Sequence, residues 1–222
     1  MIGWHYYKLK SLKESSFYLS KVSTQSTYYH KSSFFNSFCN AFLGNYDDAE
    51  TILKNQKNDD EALINLNRFE LATISLLKKD TSKYDSLVHS ITEVHFSYAN
   101  EIEKLNVIKN DLGNQKNKKP GIAAIMSAII PGTGKMYAGK IYEGVASFGI
   151  TAVMAGATLD QYLKGGVNNP QFYIFGSIFS VFYIGNIYGS YFSVKIVKQE
   201  FEEKFKNTVL LHMHIPLRNY FN

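Results

Sequence analysis

The sequence predicts an all-α protein in two unlike halves: a helical-repeat domain followed by a helical membrane domain of two to three hydrophobic segments. Three observations predict it. Apolar residues in the first 113 positions recur at three- and four-residue spacing among many charges, and their pattern returns after about 34 residues. The longest apolar runs, residues 121–130, 144–159 and 171–194, all lie in the second half, broken by Pro and Gly. The last run is about 24 residues without a charge before Lys195, enough to cross a bilayer core of roughly 30 Å. These patterns place a repeat domain at 1–113, a basic linker at 114–120, a transmembrane domain at 121–195 and an amphipathic tail at 196–222.

In the first half, Gly44-Asn-Tyr46-Asp-Asp-Ala49 follows a helical face of Phe35, Phe38, Cys39, Phe42 and Leu43, and precedes Ile52 and Leu53. Thirty-four positions earlier, Trp4, Leu9, Leu12, Ser15 and Leu19 stand for Phe38, Leu43, Tyr46, Ala49 and Leu53. Thirty-four positions later, Ala72 and Leu77 stand for Phe38 and Leu43, after which the period slips, with Tyr84 about four residues late. This helix, tight turn, helix period over residues 2–91 resembles the tetratricopeptide repeat, best in Phe42-Leu-Gly-Asn-Tyr-Asp-Asp-Ala-Glu and weakly in the flanking copies. The resemblance implies stacked helix pairs, each covered by its neighbours. Residues 92–113 continue with Val94, Tyr98, Ile102, Leu105 and Ile108 on one helical face, and Gly113 closes that helix. The opening Met-Ile-Gly-Trp-His-Tyr-Tyr-Lys lacks the basic start, apolar stretch and cleavage site of a signal peptide. Gly3 already matches a mid-helix position, so a start upstream of Met1, bringing a signal peptide and another repeat, is the expectation.

The second half opens with Pro120 at a helix start, where its missing N–H is harmless. Residues 121–130 are too short to span alone at 1.5 Å per residue. The Pro131-Gly132 pair leaves two outcomes: a re-entrant half-helix, or a tilted span continued by residues 133–138. The run Pro131-Gly132-Thr-Gly134-Lys-Met-Tyr137-Ala-Gly139, then Gly144, resembles a bacterial membrane-domain family with the pattern P-G-x-G-x-x-Y-x-G between short hydrophobic helices. Asn186-Ile-Tyr188-Gly189-Ser190 is similar to the N-x-Y-G-(A/S) near the end of such domains, which are often joined to tetratricopeptide-like helices. The resemblance covers residues 118–195 and implies architecture more than chemistry.

Pro131-Gly-Thr-Gly-Lys135 also looks like the end of a nucleotide-binding loop. However, Ile129 replaces the first glycine and Met136 replaces the hydroxyl residue that would hold magnesium, so phosphate binding is set aside. The glycines serve a tight turn and close backbone approach. Gly185 and Gly189 form G-x-x-x-G, which lets helices pack closely within the chain or in a homo-oligomer. Residues 165–170 are a turn between antiparallel helices. Asn186 is a lone strong polar group in its segment, expected to bond the turn near Tyr137. Tyr137, Tyr142, Tyr162, Phe172, Tyr173, Tyr188 and Tyr191 flank the apolar runs as an interfacial belt would. Lysines 135, 140, 195 and 198 share one side if the first segment spans, which places the repeats extracytoplasmically; if it is re-entrant, Lys118 and Lys119 join them and the repeats are cytoplasmic. The former is favoured, in a bacterial inner membrane.

The chain has 222 residues, a net charge of +5 and 45 % hydrophobic residues. Its mean hydropathy of −0.19 averages a polar and an apolar half. Lysines are dispersed, which argues against nucleic-acid binding. Cys39 is the sole cysteine and reads as a small core residue, leaving no disulfide or cysteine metal cage. His212 and His214 read as surface residues, and Asp47, Asp48 and Glu50 as solvated charges at a helix start. No catalytic constellation, cofactor or metal site emerges, and the chain is expected not to be an enzyme. The first reading is a membrane-anchored adaptor that binds a protein partner in the concave face of its repeats, with Tyr6, Asn36, Asn40 and Asn67 as candidate contacts. The alternatives are a subunit of a transport or channel assembly using Asn186, and an enzyme on lipid with Lys135 and Lys140 near the interface.

Overall fold

The computed structural model describes residues 2–57, 60–92, 96–116 and 118–221. Every regular element among them is helical. They form two compact units, one of the residues up to Asp111 together with those from Lys204 on, the other Leu112–Glu203.

The first unit begins with three helix pairs: α1 (Ile2–Lys8) with α2 (Leu12–Leu19), α3 (Tyr29–Leu43) with α4 (Tyr46–Lys54), and α5 (Glu61–Leu77) with α6 (Thr81–His89). The turns inside the pairs share one geometry. Lys10, Gly44 and Lys79 are left-handed, with φ of 60°, 89° and 62°. The next residue's N–H reaches back in each: Ser11 to the carbonyl of Tyr6 at 3.0 Å, Asn45 to Asn40 at 2.9 Å, and Asp80 to Ser75 at 2.9 Å. This is the Schellman closure, which satisfies helix-end carbonyls. Ser11, Asn45 and Asp80 then open the following helices, all of them residue types suited to a helix start. Five positions after each left-handed residue stand Ser15, Ala49 and Tyr84, all fully buried. Tyr84 is therefore the counterpart of Ala49, not a late Tyr46, because the third turn falls 35 rather than 34 residues on.

Helix α7 (Phe96–Lys116) follows, contributing Tyr98, Leu105 and Ile108 to the core as its spacing predicts. The unit is completed from the far end of the chain by the last part of α11 (Pro170–Phe221). Phe205, Val209, Met213 and Leu217, spaced four apart, are buried there. Glu50 departs from expectation. Its carboxylate is nearly covered and receives Lys54 at 2.7 Å, Lys78 at 2.9 Å and Lys83. Those ammonium groups hold it far below the usual carboxylate range, and they tie α4 to the end of α5 and to α6.

In the second unit, α8 (Pro120–Ile129) is followed by Pro131 and Gly132, and α9 (Thr133–Ala138) turns back along it. The backbone N–H of Lys119 donates to Tyr137 Oη at 3.1 Å, and Lys118 Nζ to the Ala138 carbonyl at 3.1 Å, so both open ends lie together. Of the two outcomes the sequence leaves open, the helices do not run on as one: α9 does not continue α8 but returns beside it. At 1.5 Å per residue α8 reaches about 15 Å, half of a bilayer core. Helix α10 (Ile141–Gly165) and the first part of α11 run antiparallel, with Tyr162 against Phe172 at 5.6 Å and the Asn169 amide on the Gln161 carbonyl at 3.1 Å. Helix α8 is antiparallel to α11 as well, since Ala123 clusters with Val194 while Ser127 meets Ser190 at 2.6 Å.

The burial pattern of this unit is inverted. Ile129, Leu163 and Val181 are 76, 75 and 71 % exposed, whereas Ser127 and Ser190 are wholly buried and Thr151 and Asn186 nearly so. Such continuous apolar exposure is foreign to the surface of a water-soluble domain.

Candidate functional site

Two places gather chemistry, one in each unit. The glycine-rich turn of the second unit is built by close backbone approach. Gly132 is left-handed, and a Cβ there would meet the Gly144 carbonyl oxygen at 2.1 Å. A Cβ on Gly134 would meet that of Ala123 at 1.9 Å. Gly139 is left-handed and closes α9. Tyr137 caps the start of α8, as above. With Pro131 breaking the helix, Gly132, Gly134 and Gly139 each have a steric or conformational reason, and the turn packs as a close plug against α8 and α10.

Against the plug lie polar groups. The Gly134 N–H donates to Ser127 Oγ at 2.9 Å, Thr133 Oγ1 to the Met126 carbonyl at 2.8 Å, and Lys135 Nζ to Ser147 Oγ at 2.7 Å. Gly189 makes room for the Lys135 stem, 3.4 Å from where its Cβ would stand, while Gly185 faces open space and Tyr188 is exposed. Asn186 is buried, yet neither its Oδ1 nor its Nδ2 has a hydrogen-bond partner. The expected bond to the turn near Tyr137 is therefore absent, and an unsatisfied buried amide is left at a cost of about 1–3 kcal/mol.

The second place is a groove in the first unit, walled by α1, α3 and α7 and filled by residues 204–221. His214 stacks on Phe38 with ring centroids 4.8 Å apart and bonds the hydroxyl of Tyr7. His212 Nδ1 meets the buried carboxylate of Glu101 on α7. Lys31 donates to the Phe221 carbonyl at 2.8 Å, and the Phe221 ring lies 5.6 Å from that of Phe34. Tyr220 bonds Asp60, the cap of α5, at 2.8 Å. His212 and His214 are thus interior groups, contrary to expectation, because the tail packs with the helix pairs of the first unit. Burial and the nearby Arg218 push the His214 imidazole down from its ordinary value.

Glu70 lies buried on α5 in the same unit. It stands nine residues before left-handed Lys79, as Phe35 stands nine before Gly44, and Phe35 faces His214 and Phe221. Glu70 is fully buried, neither carboxyl oxygen has a partner, and desolvation holds its pKa well above the usual range.

The expected partner contacts fall elsewhere. Asn36 and Asn40 are buried, both bonded to Ser16 of α2, at 2.7 and 2.9 Å. They join helices and present no surface. Asn67 donates to the Leu53 carbonyl at 3.0 Å, and Tyr6 stacks on Tyr18. The groove residues Tyr7, Glu101, His212 and His214 were missed, although the four-residue spacing of Phe205, Val209, Met213 and Leu217 marks a buried tail face.

No family model matches this chain, and no curated protein or solved structure shows significant similarity to it. Among the described residues no three His, Cys, Asp or Glu side chains gather in a way that could hold a metal ion.

Proposed function

We propose that the chain is a membrane-anchored helical-repeat adaptor that holds a partner protein at a bacterial inner membrane. The inverted burial of the second unit carries this reading. Helix α11 is long and apolar enough to cross a membrane, and only 6 % of its most apolar stretch is buried, unlike the core helix of a soluble domain. In the proposed arrangement α10, with 25 residues, is its antiparallel partner span, and α8 with α9 is a re-entrant plug. The thrice-repeated Schellman turn supports reading the first unit as tetratricopeptide-like repeats. Lys118, Lys119, Lys140, Lys195 and Lys198 collect at one end of the membrane unit. The positive-inside rule makes that end cytoplasmic. Both connections to the repeats leave from it, so the repeats are cytoplasmic rather than extracytoplasmic.

Crosslinking in native membranes followed by purification tests the adaptor. A partner captured by the full chain and lost from residues 112–203 alone supports it; equal capture by both rejects it. The unpaired Asn186 favours a second reading, a subunit of a transport or channel assembly. On that reading Asn186→Leu abolishes transport, whereas in an adaptor it leaves partner capture intact.

A further inference from the structure

One lysine of the second unit departs from what a membrane asks of lysine. Near the end of a span, lysine carries its ammonium outward to the polar interface. Lys135 does not. Its Nζ donates to Ser147 Oγ at 2.7 Å, and Ser147 stands seven residues into the chain from Lys140, about 10 Å inward at 1.5 Å per residue. The stem passes Gly189 of α11, where a Cβ would stand 3.4 Å from the lysine Cε. The ammonium is thus held between α10 and α11 on a side chain that rises from α9. Lys135, Ser147 and Gly189 are each half-buried, so this cleft is reachable from the surface of the unit. Among the described residues no carboxylate pairs with Lys135, and its hydrogen bond to neutral Ser147 uses one of three N–H donors. A cation at such depth is costly until an anion answers it. The chain does not supply one. Between residues 118 and 198, the end that carries Lys118, Lys119, Lys135, Lys140, Lys195 and Lys198 holds a single acid, Glu143, and that acid lies 3.4 Å from Lys140.

We infer that this cleft binds the phosphate of an anionic phospholipid between α10 and α11. Lys135 gives its remaining N–H donors to one phosphate oxygen, and Ser147, which accepts from the lysine, keeps its own O–H for another. The acyl chains follow the exposed apolar side chains beside the site, Phe148 after Ser147 on α10, and Tyr188 and Phe192 on either side of Gly189 on α11. A phospholipid answers both the cation and these apolar walls, whereas a free anion answers the cation alone. Basic pockets between membrane helices on the cytoplasmic side take anionic headgroups in this way. The inference rests on the membrane placement proposed above and fails separately from it. A chain that alkaline carbonate washes from membranes rejects the placement, and a chain that stays but does not select its lipid rejects the site.

The test titrates lipid onto the full chain in neutral detergent and reads bound lipid by native mass spectrometry, with dioleoylphosphatidylglycerol against dioleoylphosphatidylcholine. The first phosphatidylglycerol is expected to bind about ten-fold more tightly than the first phosphatidylcholine. Lys135→Met should erase that preference and Lys135→Arg should keep it. Lys198→Met removes a charge from the same end outside the cleft and should change the preference by less than about two-fold. Gly189→Leu keeps every charge but fills the cleft, so it should erase the preference as Lys135→Met does. Equal binding of the two lipids overturns the inference. An equal loss in Lys135→Met and Lys198→Met overturns it too, as a sign of diffuse attraction, and so does displacement of the lipid by inorganic phosphate, which would make the site one for a free anion. Should the variants not fold, the unaltered chain decides. Phosphatidylglycerol with a photoreactive group beside its phosphate must crosslink within residues 144–148 or 188–192; crosslinks confined to residues 118–119 and 195–198 overturn the inference.

Discussion

Glu70 is one of the side chains that shape the pH behaviour of the first unit. A carboxyl that binds its proton more tightly folded than unfolded costs stability wherever the unfolded chain is ionised. Its own contribution is therefore most favourable below the ordinary carboxyl value of 4.5 and is lost as pH rises above it, opposite in sign to that of Glu50. His214 acts in the opposite window: its folded pKa lies below 6.5, so stability is lost as pH falls beneath 6.5, where the unfolded chain takes up the proton. The two together flatten the profile in mildly acid solution. Glu70→Met removes an unpaired buried carboxyl and should raise the unfolding free energy at pH 7.5 by about 1–3 kcal/mol. Chemical denaturation across pH 4 to 8 checks both parts. The variant should lose the alkaline decline and keep the acid one; a variant no more stable than the parent at pH 7.5 would show that Glu70 is satisfied in solution.

At the level of elements, the turns show what the sequence reveals and what it hides. Gly44 announces its turn because glycine tolerates positive φ freely. Lys10 and Lys79 occupy the same conformation without announcing it, so the first and third pairs read as degenerate. The signal that survives is the cap residue one position later, Ser11, Asn45 and Asp80, whose side chains suit a helix start whatever precedes them. A left-handed lysine costs about 1–2 kcal/mol, part of which glycine returns as chain entropy. Lys79→Gly should therefore stabilise the unit by about 0.5–1 kcal/mol, read as a rise in denaturation midpoint with unchanged slope. The glycine-rich plug was legible for the same reason as Gly44, since each glycine there answers a local steric demand. The groove was not. Its walls come from α1, α3 and α7 and its filling from residues more than a hundred positions away, and no local period reports such a meeting. Glu50 was misread likewise, because the lysines that enclose it, Lys78 and Lys83, arrive from the next repeat.

For the whole molecule, the decisive geometry is the return of α9 along α8. Had the first hydrophobic segment crossed the bilayer, an odd number of crossings would separate the two ends of the membrane unit. In the proposed arrangement a re-entrant α8–α9 leaves two crossings, α10 and α11, and brings both ends to one face. That face carries Lys118, Lys119, Lys140, Lys195 and Lys198, whereas the turn between α10 and α11 is flanked by Lys164 beside Asp160. An electrostatic bias of this kind orients short loops during insertion. It also suits the proposed arrangement, in which the tail leaves the membrane on the side of the helices it packs with. Single cysteines placed in a Cys39→Ser background test the arrangement in oriented inner-membrane vesicles, with a membrane-impermeant maleimide as probe. Lys118→Cys and Lys140→Cys should label from the cytoplasmic face only, Asn168→Cys from the opposite face only, and Ile129→Cys from neither, since the tip of the plug ends within the bilayer. Labelling of Lys118→Cys and Lys140→Cys from opposite faces would mean that α8 spans, and would return the repeats to the extracytoplasmic side.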